Sequence, residues 1–83
     1  MTTDHREYLT DIEELLKHMP DPGNEIQDVI DQLYQVSTPE RIRALVTHLG
    51  CLIDRYNDDT HEEYTMMCCD IHMSLTQIYA IHN

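Results

Sequence analysis

The sequence predicts an all-α fold: a small bundle of three to four helices that ends in a C-terminal helical hairpin and pairs with a second copy. Three observations carry this reading. Apolar residues recur at spacings of three and four in separate stretches. Those stretches are divided by strong stop and cap signals at Pro20-Asp21-Pro22-Gly23, Ser37-Thr38-Pro39 and Asn57-Asp58-Asp59-Thr60. A chain of 83 residues has room for one domain only. With no Phe and no Trp, its core must be built mainly from Leu, Ile and Met.

The first helix is expected from about Asp4 to Met19, with Tyr8, Leu9, Ile12, Leu15, Leu16 and Met19 on one side. Asp4 and Glu7 have the spacing of a capping pair. Pro20, Pro22 and Gly23 end this helix and form the one candidate hinge. Residues 1–83 therefore read as a single helical domain: a core over 24–83, and an N-terminal helix over 1–19 that is loosely docked or serves as a partner-binding arm.

The second helix starts at Asn24, read as its N-cap with Gln27 three residues on, and carries Ile26, Val29, Ile30 and Leu33. Thr38 caps the third, with Pro39 at the first helical position, where its missing N–H costs nothing. This helix is expected to reach Tyr56, turning Ile42, Leu45, Val46, Leu49, Leu52, Ile53 and Tyr56 inward. Asn57 to Thr60 reads as a turn, and Thr60 with Glu63 as another capping box. Asp59, Glu62 and Glu63 then suit the positive end of the next helix dipole.

The fourth helix, about His61 to His82, is apolar on two sides. Tyr64, Met67, Cys68, Ile71, Leu75, Ile78 and Tyr79 share one face, which is assigned to the core. Met66, Cys69, Met73, Thr76 and Ala80 recur opposite it at spacings of 3, 4, 3 and 4, a short heptad-like seam. So small a domain has little chain left to cover that second side. Met66, Cys69, Met73 and Ala80 are therefore expected to join two copies as a homodimer. The competing arrangement folds the first helix back over the seam.

Charge excludes one class of partner. The formal net charge is −11, from 5 Lys and Arg against 16 Asp and Glu. Direct nucleic-acid binding is not expected of such a surface, nor docking on an anionic membrane. Residues 1–36 carry two basic against nine acidic groups, residues 37–56 three against two, and residues 57–83 none against five. Asp58, Asp59, Glu62 and Glu63 form the densest patch and are the candidate contact for a protein partner with a basic surface. The commoner fate of such a patch is a solvated face. Six histidines add an acid-sensing possibility.

Chemistry-bearing sets are weaker. His48-x2-Cys51 and Cys68-x3-His72 have an approximate Cys2His2 spacing, but Cys51 is expected to point away from the fourth helix. Asp54, Asn57, Asp58, Asp59, Glu62 and Glu63 fail the calcium-loop register, since the twelfth position from Asp54 is Thr65. Cys69 and His72 are three apart, without a Gly-rich loop or other oxyanion donor beside them. The expectation is no metal, no cofactor and no enzymatic activity. Cys51, Cys68 and Cys69 are an odd set with two adjacent members, which fits a reducing compartment rather than a disulfide framework. The polar start, Met1 to Glu7, is followed by no apolar leader, so the expected location is cytoplasmic.

Glu25-Ile26-x2-Val29-x3-Leu33, then Ile42-x2-Leu45-x3-Leu49, then a polar turn and a final helix with Tyr64, Ile71, Leu75 and Ile78 together resemble a known pattern. From Gly23 to Tyr79 the chain resembles the enterobacterial biofilm-development and acid-resistance regulators, the YmgB/AriR connector family. The resemblance lies in hydrophobic spacings; the acidity, the paired cysteines and the Met-rich last helix depart from it. It implies a small helical homodimer that regulates stress and biofilm genes through protein contacts. It carries over no functional residue. The leading expectation is a non-enzymatic regulatory adaptor or inhibitor acting by protein–protein binding. The alternative is a mobile-element-encoded inhibitor, of the anti-CRISPR or anti-restriction type, that mimics nucleic-acid charge.

Overall fold

Four apolar stripes on one short chain must share a single core, and the arrangement that achieves this is a four-helix bundle. A computed structural model describes residues 5–60 and 62–83. Its elements are α1 (His5–Lys17), α2 (Asn24–Gln35), α3 (Pro39–Asp59), a 3-10 turn (Glu62–Tyr64) and α4 (Thr65–Ile81). No strand occurs among the described residues. Nor is any of these helices long and apolar enough to cross a membrane.

Packing joins neighbours in sequence and also the first and last helices. α2 lies on α3 and α3 on α4, forming the C-terminal hairpin, while α1 packs most extensively on α4. Leu9 and Ile12 of α1, Ile30 and Leu33 of α2, Ile42, Leu49 and Ile53 of α3, and Ile71 and Ile78 of α4 lose essentially all contact with solvent. Among the described residues no charged or polar residue is buried. In place of aromatic bulk it relies on branched aliphatic side chains, each worth roughly 1.5–3 kcal/mol when fully buried. α1 is thus a wall of the bundle, whereas the sequence left open a loosely held arm.

Several boundaries differ from the sequence reading, each for a local reason. Asp4 and His61, expected in a cap and at the start of the fourth helix, lie outside the described residues. α1 stops at Lys17, and Met19 is buried from the loop that follows. Gly23, not Asn24, occupies the N-cap of α2, with φ 88°, and no side chain caps that end. Only glycine takes such a φ without a steric cost. Thr38 and Pro39 hold the expected places at the start of α3, though the Thr38 side chain makes no capping hydrogen bond.

The largest difference is at the end of α3. The helix runs on through Asn57, Asp58 and Asp59, which had read as a turn. The Thr60 hydroxyl donates back to the Tyr56 carbonyl at 2.9 Å, so it does not form the expected box with Glu63. The chain then turns through Glu62–Tyr64 before α4 starts at Thr65, whose hydroxyl donates to Asn57 Oδ1 at 3.1 Å. Asp58 and Asp59 therefore sit in the last turn of a helix, at the negative end of its dipole rather than beside a positive one.

The α1–α2 loop is tied to this end of α3. Tyr56 donates its hydroxyl to the Pro20 carbonyl at 2.6 Å. Burial, followed by the nearby Tyr64, Cys68 and Asp21, pushes the Tyr56 hydroxyl above its ordinary value of 10.0. The folded chain then holds this proton more tightly than the unfolded chain. The stabilisation is complete below about pH 10 and is lost as pH rises through the raised value. Tyr56→Phe should cost roughly 0.5–1.5 kcal/mol at neutral pH. It should also flatten the fall in stability above pH 10, as urea unfolding at neutral and alkaline pH would show.

Candidate interaction surface

α4 separates its two apolar sides cleanly. Cys68, Ile71, Leu75 and Ile78 are buried against the bundle, with Tyr64 and Met67 half-buried beside them. Tyr79, expected in the core, lies at its margin with 40% exposure. On the far side Met66 is 73% and Met73 67% exposed, and Cys69, Thr76 and Ala80 are exposed in the same row. α1 covers the inner side and leaves the seam open, so the arrangement in which the first helix folds over it does not occur.

Depressions flank the seam. Towards α1, a shallow one of about 410 Å³ is lined by Asp11, Glu14, Leu15, Asp70, Met73 and Ser74. Towards α3, a notch of about 270 Å³ is lined by Val46, Thr47, Gly50, His72, Leu75, Thr76 and Tyr79. His72 bridges the two helices here, with Nε2 2.7 Å from Asp54 Oδ1. Asp54 is largely solvated, so this pair contributes little to stability. Within α4 the seam is nearly neutral: Asp70 is its one carboxylate, and it has no Lys or Arg.

The acidic patch stands apart from this surface. Asp58 and Asp59 end α3, Glu62 and Glu63 form the turn that follows, and all four are exposed. Beside them opens a cleft of about 570 Å³, walled by the Pro20–Ile26 segment together with Leu52, Arg55, Tyr56, Asp59 and Thr60. Asp21 and Glu25 bring two more carboxylates to its rim. Sequence reasoning missed this cleft because it depends on the loop after α1 docking on the end of α3. The signal available was Pro20-Asp21-Pro22-Gly23, read only as a stop.

The Cys/His set is scattered. Cys68 is buried in the core, Cys51 and His48 are exposed, and His72 is engaged by Asp54. Among the described residues no three His, Cys, Asp or Glu side chains come together as metal ligands. The oxygen-bearing side chains considered for calcium disperse too, with Asp54 on His72 and the Asn57 amide oxygen accepting from Thr65. Burial, and then the neighbouring Cys69 and Asp54, push the Cys68 thiol above its ordinary value of 9.0.

No known family model matches the chain, and no curated protein and no solved structure is significantly similar to it.

Thiol reactivity tests the two faces of α4. In the native protein Cys51 and Cys69 should react promptly with a chromogenic disulfide at pH 8, and Cys68 should react only at the rate at which the bundle opens. In denaturant all three should react together. A fast third thiol in the native protein would show that the inner face of α4 is accessible.

Proposed function

We propose that this chain is a small acidic regulatory adaptor or inhibitor that acts by binding protein and carries out no catalysis. The observation that carries the reading is the open side of α4, where Met66 and Met73 stand exposed on a helix whose other side is already packed. An apolar row of this kind in a water-soluble bundle marks a contact surface. A second copy suits it: α4 itself carries one carboxylate, Asp70, and the nearby Asp11 and Glu14 of α1 stand at the margin of the row, so an isologous contact centred on the Met66–Ala80 row sets apolar side chains against each other. The contact pairs Met66, Cys69, Met73 and Ala80 of each copy into a homodimer.

The partner surface is the patch of Asp58, Asp59, Glu62 and Glu63, extended by Asp21 and Glu25 across the neighbouring cleft. Asp58 and Asp59 are unfavourably placed for the helix that carries them, which favours a role outside the fold. Exposed carboxylates steer a basic protein surface and repel nucleic acid. The same surface suits a mimic that occupies a nucleic-acid groove on its target. Competition by DNA or RNA for the captured partner would identify that second mode. The YmgB/AriR resemblance favours regulation of stress or biofilm genes as the setting.

Assembly is tested by solution mass. The wild type should be dimeric at micromolar concentration, and Met73→Glu, which sets like charges against each other in the seam, should be monomeric with unchanged helicity. A wild type that remains monomeric at high concentration overturns the dimer.

The patch is tested by association rate. Each exposed carboxylate should contribute only about 0.2–1 kcal/mol to a charge pair. The joint variant Asp58→Asn, Asp59→Asn, Glu62→Gln, Glu63→Gln should slow association with the partner and flatten its salt dependence. The Asp58→Asn, Asp59→Asn pair by itself should raise thermal stability, by about 0.3–1 kcal/mol per charge removed from the helix C-terminus. An unchanged association rate in the fourfold variant would reduce the patch to a solvated face.

A further inference from the structure

Sulfur is concentrated on α4. The chain has five Met and three Cys, and five of these fall between Met66 and Met73. The fold divides them. Cys68 is buried and Met67 half-buried against the bundle, while Met66, Cys69 and Met73 stand on the open side. The core is built mainly from Leu, Ile and Val. The open row between Met66 and Met73 uses sulfur-bearing side chains in their place.

Helical geometry sets the three outward sulfurs around one point. Met66 is three residues before Cys69 and Met73 four after it. Each is therefore a surface neighbour of the cysteine, with Cβ atoms about 5–6 Å away. Unbranched methionine side chains swing their thioethers across such a gap at little cost. The harder donors nearby are engaged elsewhere or suit other cations. His72 is turned towards α3, where its Nε2 meets Asp54 Oδ1 at 2.7 Å. Asp11, Glu14 and Asp70 border Met73 across the shallow depression. Their charge draws a cation towards the row, but carboxylate oxygens suit Mg²⁺ or Ca²⁺ rather than a soft metal.

We propose that Met66, Cys69 and Met73 form a Cu(I) site on the open side of α4, with the Cys69 thiolate as the central ligand and the two thioethers completing a trigonal sulfur set. Thiolate and thioether donors select soft metals, and these sulfurs lie outside the His, Cys, Asp and Glu sets weighed above for zinc and calcium. A closed zinc site takes four ligands, chiefly thiolate and imidazole, whereas this row offers one thiolate. Binding exchanges the Cys69 S–H bond for S–Cu(I) and releases the proton to solvent, with no change in oxidation state. The site is complete within one chain, so it does not rest on the homodimer proposed for the same row. Cys51, the other exposed thiol, lacks thioether neighbours: three and four residues away on α3 are Thr47, His48, Asp54 and Arg55.

The test uses the reduced full chain, labelled at the methionine methyl carbons, handled without oxygen and titrated with Cu(I) supplied as its bicinchoninate complex. The wild type should take one Cu(I) per chain from the chelator. The methyl signals of Met66 and Met73 should shift, while that of buried Met19 stays in place. Cys69→Ser should take none, and Cys51→Ser should match the wild type. Met66→Leu combined with Met73→Leu keeps the apolar bulk of the row. It should lose the copper with no change in solution mass, which separates the site from the dimer. No copper taken by the wild type, copper retained in Cys69→Ser or in the double leucine variant, or the same methyl shifts from Zn²⁺ at equal concentration overturns the site.

Discussion

Leu9 and Ile12 of α1 are fully buried together with Ile71 and Ile78 of α4, and this meeting of the first and last helices closes the bundle. The contact is the most distant in sequence and among the most extensive in space. Closing so long a loop costs entropy that apolar burial chiefly offsets, because among the described residues no charged or polar residue is buried. Two consequences follow. The start of α1 and the end of α4 are brought side by side, which is what places His5 against His82. And α1 is committed to the inner side of α4, so nothing else in the described chain can cover Met66 and Met73.

The end of α3 shows a conflict between local preference and tertiary demand. Asn57, Asp58 and Asp59 are turn formers, and two acids in the last turn oppose the helix dipole. The helix nevertheless continues, held by Tyr56 on the Pro20 carbonyl, Thr60 on the Tyr56 carbonyl and Asn57 with Thr65. The strongest acidity is thereby carried on a rigid helix end beside a cleft, a better defined surface than the flexible turn the residue types suggest. It also explains why those carboxylates do not converge as cation ligands: a helix fans successive side chains apart.

The two surfaces on which the proposed function rests are electrostatically unlike each other. The open side of α4 carries an apolar row with Asp11, Glu14 and Asp70 at its α1 margin, while the α3 end and the loop after α1 present carboxylates without such a row. Self-association through the first, as proposed, would leave the second free for a basic partner. A dimer would present the acidic region twice, which raises the effective affinity for any partner with two matching sites without a new contact.

The sequence by itself determined the four apolar stripes, the breaks between them and the two-sided character of α4, because helical periodicity is a local property. Ile26, Val29, Ile30 and Leu33, and Ile42, Val46, Leu49 and Ile53, are buried as their spacing requires. The exposed seam was legible for the same reason: a second stripe on a helix with one stripe already used is visible in the spacing. Only the tertiary structure decided which helix lies against which, that α1 takes the inner side of α4, that α3 runs on to Asp59, and that Tyr79 remains at the margin. The Pro20–Thr60 cleft and the His5–His82 contact were hidden in the sequence for one physical reason. Each joins residues far apart along the chain, and no local preference encodes which distant groups a closed core will set face to face.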